Sequence, residues 1–340
     1  METQIDKLDI CIIVPVYNAE QFLVECLDSI REQTYTHWTC MLVNDGSTDN
    51  SQQIIDTYCS IDDRFTCLVK ENEKSASLAR KYALMRTNAE WIICIDADDA
   101  ISPSYMEMLV KRQLETNADI VSGRLVRYED GLKGGKISWQ LPLASFDMNQ
   151  VMTGQEACLL TLGGWQIGGS GIIKRDIMLK TSSGPYMNSD EYEQRERLLY
   201  VKKYAFADVV YYYRANVGTS DKVSVRMFDR TLVDIQLEEF VHKHFPDRKD
   251  KIKAMVWQRY FNLIYLAADF KINESQFLTE EVDKIQDILR YSYQQIDKLK
   301  TMYYYPIHAL MLLLGFKIFC IFSKKYVQYK RSHGGTFWYQ

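Results

Sequence analysis

The chain has 340 residues, 47% of them hydrophobic and 25% charged, with a formal net charge of −4. That length and apolar content suffice for one large domain with appendages. The acidic balance excludes the global basic field that gathers nucleic acid, so no nucleic-acid partner is expected. Eight cysteines are scattered with no Cys-x-x-Cys pair, several inside apolar strand or helix patterns. This fits reduced, cytoplasmic packing better than disulfides or zinc. Met1 to Asp6 shows neither a basic n-region nor an apolar h-region, so no signal peptide is expected.

Strand and helix alternate over the first hundred residues. Asp9 to Val16 is a β-branched apolar run, and Asn18 is placed to cap the helix that follows, with Gln21 at the capping-box position and Phe22, Leu23, Cys26, Leu27 and Ile30 as its apolar stripe. A strand over 39–43 ends at Asn44-Asp45-Gly46-Ser47 and leads to a helix carrying Ile54, Ile55, Tyr58 and Cys59. A strand over 65–69, a helix over 77–86 and a buried strand over 91–95 come next, the last running straight into Asp96-Ala97-Asp98-Asp99. Ser102-Pro103 reads as the N-cap and first residue of a helix through Leu114. Such alternation implies βαβ units and an open α/β sheet. Residues 120–220 are mixed, with glycine clusters at 131–135 and 163–171. Helical patterns return near 230–244, 250–271 and 278–299.

Ligands in open α/β sheets sit beyond the carboxyl ends of the strands. Three strands here end in polar groups suited to that place: Pro15-Val16-Tyr17-Asn18, Asn44-Asp45-Gly46-Ser47-Thr48-Asp49 and Asp96-Ala97-Asp98-Asp99. Three carboxylates closing a buried strand call for a cation, and hard oxygen ligands suit Mg²⁺ or Mn²⁺ on the phosphates of a substrate. Taken singly, the first could be a strand end with a helix cap, the second an Asx turn and the third an acidic loop.

In this order and spacing the three resemble V-P-x-Y-N, D-D-G-S-x-D and D-x-D-D of the family 2 inverting glycosyltransferases of the GT-A fold, over roughly residues 8–220. The resemblance implies a GT-A-type open, mostly parallel sheet flanked by helices, the nucleotide-diphospho-sugar transferase fold, to which the later helical patterns add a helical C-terminal extension. Together they divide the chain into a catalytic domain over 1–225 (nucleotide half 1–100, acceptor half 101–225), a helical extension over 226–300 and a C-terminal segment over 301–340. The resemblance also implies a nucleotide-sugar donor, most simply a UDP-sugar, held by Pro15, Val16, Tyr17, Asn18, Asp45, Gly46 and Ser47. Asp96 and Ala97 would lie by the ribose, and Asp98 would hold a divalent metal, Mn²⁺ or Mg²⁺. The family's N-x-G-x-x-x-A-R-N segment is matched only in part by Asn72 to Lys81: Ala79-Arg80 is present, the glycine is lost and Lys81 replaces the asparagine. Arg80 is left to contact nucleotide, to pair with Asp98, or to form a structural ion pair on a helix face.

Further along, Trp165-Gln166-Ile167-Gly168 resembles the family's acceptor-side stretch, with Trp165 a candidate sugar platform. Asn188-Ser189-Asp190-Glu191, with Arg195 beyond, falls where the family places its general base. Asp190 is the first choice and Glu191 the second, while an N-capping Asp on a helix over 190–201 is a sound structural alternative. Tyr213-Arg214-Ala215-Asn216 with Thr219-Ser220 resembles the region closing over the diphosphate, with Arg214 as its clamp. The acceptor would be a hydroxyl of a glycan or lipid-linked glycan. A sugar-1-phosphate nucleotidyltransferase or a non-catalytic nucleotide-sugar or glycan-binding protein are the other classes. Finally, Pro306 to Phe322 is almost wholly apolar, then basic at Lys324, Lys325, Lys330 and Arg331. It is short for a membrane span and reads equally as an interfacial helix, giving peripheral contact at the inner face of the cell membrane, or as a packed C-terminal helix.

Overall fold

In the computed structural model, residues 8–128, 137–214, 224–305, 310–313 and 315–332 are described. The chain divides into two compact units, one of Met1–Pro185 with Ser189–Asp221 and one of Tyr186–Asn188 with Lys222–Gln340.

The first unit is built on one sheet. Its elements are β1 (Ile10–Val16), α1 (Leu23–Arg31), β2 (Trp38–Asp45), α2 (Ser51–Ile61), β3 (Phe65–Lys70), α3 (Ala76–Leu84), β4 (Trp91–Cys94), β5 (Ala100–Ile101) and α4 (Tyr105–Thr116). They continue as β6 (Ile120–Tyr128), β7 (Ile137–Leu141), β8 (Val151–Met152), α5 (Gly154–Thr161), β9 (Gly171–Lys174), α6 (Arg175–Leu179), α7 (Ser189–Leu198) and β10 (Tyr204–Tyr213). The strand order is β3-β2-β1-β4-β9-β6-β10-β5, with β7 on β6 and β8 on β10. Strands β3, β2, β1 and β4 are mutually parallel, as are β6 and β10, whereas β9, β5, β7 and β8 pair antiparallel. The sheet is thus mostly parallel and flanked by helices, as its sequence implies.

Alternate residues of β1 (Ile10, Ile12, Val14) join Leu23, Leu27 and Ile30 of α1 and Leu109 and Val110 of α4 in one core. Cys11 and Ile13, pointing the other way, are equally buried because α3 covers that face. This is why the strand reads as a continuous apolar run rather than an alternating one. Each such side chain taken from water contributes ~1.5–3 kcal/mol.

Two expected helix caps are not made. Helix α1 starts at Leu23 with Phe22 in the cap position, and Asn18 takes a left-handed conformation, φ +49°. Its side chain is used across the sheet edge instead, accepting from Thr48 N at 2.8 Å. Helix α4 starts at Tyr105, with Ser104 rather than Ser102 before it. Ser102 Oγ accepts from Val210 N at 3.3 Å, tying the short β5 to β10.

The second unit is helical: a 3-10 turn at Val225–Asp229, α8 (Arg230–His244), α9 (Lys249–Asn273), α10 (Thr279–Gln294), α11 (Lys298–Tyr304), a 3-10 turn at Leu310–Leu313 and α12 (Phe316–Ser332). Leu312, Phe319, Cys320 and Val327 pack into one cluster with Tyr260, Leu263 and Ala267 of α9 and with Leu289 and Tyr293 of α10. The C-terminal segment is therefore integrated into this unit, as the packed-helix alternative has it. Among the described residues no helix is long and apolar enough to cross a membrane.

Candidate active site

Because β2, β1 and β4 are neighbours, their three carboxyl ends lie side by side. The β1 and β2 ends are laced together. Asn18 N donates to Ser47 Oγ at 3.1 Å, Ala19 N to Ser51 Oγ at 2.9 Å and Glu20 N to Asp49 Oδ2 at 3.0 Å. Val16 and Ala97 put their side chains in the core, whereas Tyr17 is 46% exposed, its ring accessible to a planar ligand. Gly46 has φ +72°, and a Cβ there would sit 3.0 Å from that of Asn72, so two constraints demand glycine at this turn.

Asp45 is buried, and its Oδ1 receives Lys70 Nζ at 2.7 Å and Glu73 N at 3.2 Å. Lys70 was not singled out in the sequence. A signal existed: Asp45 and Lys70 are register partners at the ends of adjacent strands β2 and β3. In the same loop Lys74 occupies φ +56°, a left-handed conformation that favours glycine. Lys74→Gly is expected to raise stability by about 0.5–1 kcal/mol, the strain relieved less the added freedom of the unfolded chain, measured by urea unfolding.

At the end of β4 the carboxylates separate by role. Arg80 Nη2 meets Asp96 Oδ1 at 2.5 Å, so the arginine pairs with Asp96 and not with Asp98. Burial works against the Arg80 charge, but Asp96, and to a lesser degree Asp190, raise its pKa above the ordinary value. Asp99 is structural. It is 2% exposed and accepts from the Tyr211 hydroxyl and from Arg214 N, each at 2.8 Å. The same Tyr211 oxygen accepts from Asp96 N at 3.1 Å, a bracing role the sequence did not reveal. Arg214 donates to the Asp98 carbonyl at 2.7 Å and to Glu25 at 2.5 Å, and its guanidinium lies 4.7 Å over the Phe22 ring. Ala215, Asn216, Thr219 and Ser220 lie outside the described residues. Asp98 alone keeps a half-buried carboxylate that receives no donor from another described side chain. Burial, then the Asp96 charge, pushes its pKa up to about 6. A carboxylate made costly in this way favours a bound cation.

Among the described residues no three His, Cys, Asp or Glu side chains cluster as a metal cage. One carboxylate completed by substrate phosphate oxygens is a usual Mg²⁺ arrangement, and Asp98 fits it.

Helix α7 supplies the remaining groups, beginning at Ser189, so Asp190 lies in its first turn rather than at the cap. Its carboxyl is pushed up to about 6 by burial and by Glu191, with Arg80 opposing. Glu191 is committed elsewhere. Its carboxylate accepts from Trp165 Nε1 at 3.1 Å and from Arg195 Nη1 at 2.6 Å. Arg195, 1% exposed, also reaches the Glu191 carbonyl at 2.6 Å and the Thr161 carbonyl at 2.7 Å, with its guanidinium 4.4 Å over the Trp165 ring. Gly168 is buried, its carbonyl taken by the Tyr204 hydroxyl at 2.9 Å, and it lines a small cavity with Trp165, Gln194 and Arg197. Glu193, also unassigned from sequence, accepts from Ser77 Oγ and from Gly184 N, tying α7 to α3. Arg195→Leu would strand the Glu191 carboxylate and the Thr161 carbonyl. It is expected to cost about 2–3 kcal/mol, read by urea unfolding.

Residues 11–171, a little under half of the chain, match the model of glycosyl transferase family 2, and the relatives the chain matches are glycosyltransferases. It is 29% identical to glycosyltransferase GlyG of Streptococcus pneumoniae over 219 residues, 62% of this chain and 72% of that protein. It is 30% identical to the UDP-Glc:alpha-D-GlcNAc-diphosphoundecaprenol beta-1,3-glucosyltransferase WfgD of Escherichia coli over 118 residues, 35% of this chain and 46% of that protein. Among solved structures, S. aureus TarS 1–349 in complex with UDP-GlcNAc superposes with a TM-score of 0.64 at 16% identity, covering 97% of this chain and 93% of that one. That likeness establishes the shared fold.

Proposed function

We propose that the protein is an inverting transferase that moves a sugar from a UDP-sugar to a hydroxyl of a glycan or lipid-linked acceptor. It would work in the cytoplasm, at the inner face of the membrane. The observation that carries this reading is the position of Arg80, paired with Asp96 at the donor edge and within electrostatic reach of Asp190. This supports a donor motif near a second carboxylate that no described side chain pairs, the arrangement a single displacement uses. The UDP-GlcNAc bound by TarS and the UDP-Glc in the name of WfgD favour uridine.

In this mechanism Tyr17 stacks on the base, and Asp45, oriented by Lys70, accepts a hydrogen bond from it. Asp96 receives a ribose hydroxyl. Mn²⁺ or Mg²⁺, held by Asp98, would neutralise the diphosphate leaving group. Arg214 would add a second positive charge against it. Trp165 offers its ring to the acceptor sugar, and Asp190 takes the proton of the attacking hydroxyl as the anomeric bond inverts. Held near 6, Asp190 is ionised at neutral pH yet basic enough to be useful. Transfer is therefore expected to rise with pH through about 6 and level off above it, read as kcat/KM against pH.

Thermal shift with UDP-, GDP- and dTDP-sugars, each with Mn²⁺ and with EDTA, tests the reading, because a ligand bound only by the folded state raises its apparent stability. A Mn²⁺-dependent shift with the UDP-sugars alone is the expected result, and no shift with any nucleotide would sink the proposal.

A further inference from the structure

Helix α12 carries two apolar stripes. One, Phe319, Cys320, Ser323 and Val327, is buried in its own unit. The other lies on the opposite side of the helix: Ile318, Ile321 and Phe322 are 45%, 53% and 48% exposed. At 100° per residue these three centre about half a turn from the buried set. Leu310 and Leu313, just before the helix, are 57% and 55% exposed as well. A surface helix with one buried face has no use for a second apolar face unless something covers it.

The charge on the helix says what kind of surface that is. Residues 316–332 contain four lysines, one arginine and no acidic residue. Lys324 reaches the Lys271 carbonyl and Arg331 pairs with Asp269, both turned back onto the unit. Lys317 and Lys325 are exposed and flank or interrupt the free apolar stripe. Aliphatic and aromatic side chains bordered by lysines suit a surface with an apolar interior and an anionic face, which is a lipid leaflet.

We propose that the outer stripe of α12, Ile318, Ile321 and Phe322 with Lys317 and Lys325, is a docking face for an anionic lipid bilayer. This deepens the reading that the acceptor is lipid-linked, since docking would bring the enzyme to the surface where such acceptors lie.

The full chain should co-sediment with vesicles of phosphatidylglycerol and phosphatidylcholine, and much less with phosphatidylcholine alone. Ile321→Ser/Phe322→Ser is expected to weaken binding at least about tenfold, and Lys317→Glu/Lys325→Glu by a similar factor, with added salt imitating the latter. Because all four side chains are exposed, melting temperature and the UDP-sugar shift should be unchanged. Loss of that shift with vesicle binding intact would count against the proposed activity and not against this face. No binding to anionic vesicles, or binding that both double variants retain, overturns the inference. So does a solution mass that falls on substitution without lipid, which would show the stripe to be a contact between copies.

Discussion

Asp190→Asn is expected to lower transfer by ~10²–10⁴-fold while leaving the UDP-sugar thermal shift intact. The asparagine keeps the size of the side chain and removes only its ability to accept the acceptor's proton. Stability supplies an independent control. The Asp190 carboxyl titrates near 6 in the folded chain, against an ordinary value of 3.8, so the folded state holds the proton more tightly than the unfolded one. Its contribution to stability is thus most favourable at low pH and is lost as pH rises from about 4 to about 6. Above that range the native charge is a liability, and the asparagine variant should melt higher than the parent at pH 7.5. Lower activity with higher stability separates a lost base from a damaged fold. Glu191→Gln should behave differently, because its carboxylate serves Arg195 and Trp165, and a weakened platform should raise acceptor KM before it lowers kcat. Should Glu191→Gln abolish turnover while Asp190→Asn transfers normally, the base is Glu191.

Comparison with the sequence shows where local reading succeeds. The parallel βαβ half is legible because each of its strands is a short apolar run ending in turn chemistry, and each helix between them carries its own stripe. What fails is any assignment that depends on a partner distant in the chain. Asn18 has the chemistry of a cap, but Thr48, 30 residues away, donates to its side-chain oxygen instead. Arg80 could have met either carboxylate two residues apart, and the helix phase of α3 brings it to Asp96. The choice between Asp190 and Glu191 is likewise invisible in sequence. Adjacent residues on a helix diverge by about 100°, and only the positions of Trp165 and Arg195 show which carboxylate is occupied. Tyr211, bracing Asp96 and Asp99 from β10, has no local mark at all among 23 tyrosines.

Asp98→Asn is expected to abolish the Mn²⁺-dependent part of the UDP-sugar thermal shift, reducing it to the EDTA value, and to lower transfer by roughly 10²–10⁴-fold. The argument is one of unpaired charge. Asp96 has Arg80, and Asp99 has Tyr211 and the Arg214 amide, whereas the Asp98 carboxylate is raised to about 6 by burial and by Asp96. A group so placed binds a proton or a cation, and the two compete. The Mn²⁺-dependent shift should accordingly fade in the parent protein as pH falls below about 6 and remain flat above it. The variant should not lose its fold, since asparagine relieves the repulsion from Asp96 and leaves the Asp98 carbonyl on Arg214 untouched. Asp96→Asn serves as the contrast. It breaks the Arg80 pair, so it should weaken nucleotide binding with and without Mn²⁺ alike. The reverse pattern, metal dependence lost with Asp96→Asn and kept with Asp98→Asn, would mean that the donor displaces Arg80 and that the ligand is Asp96.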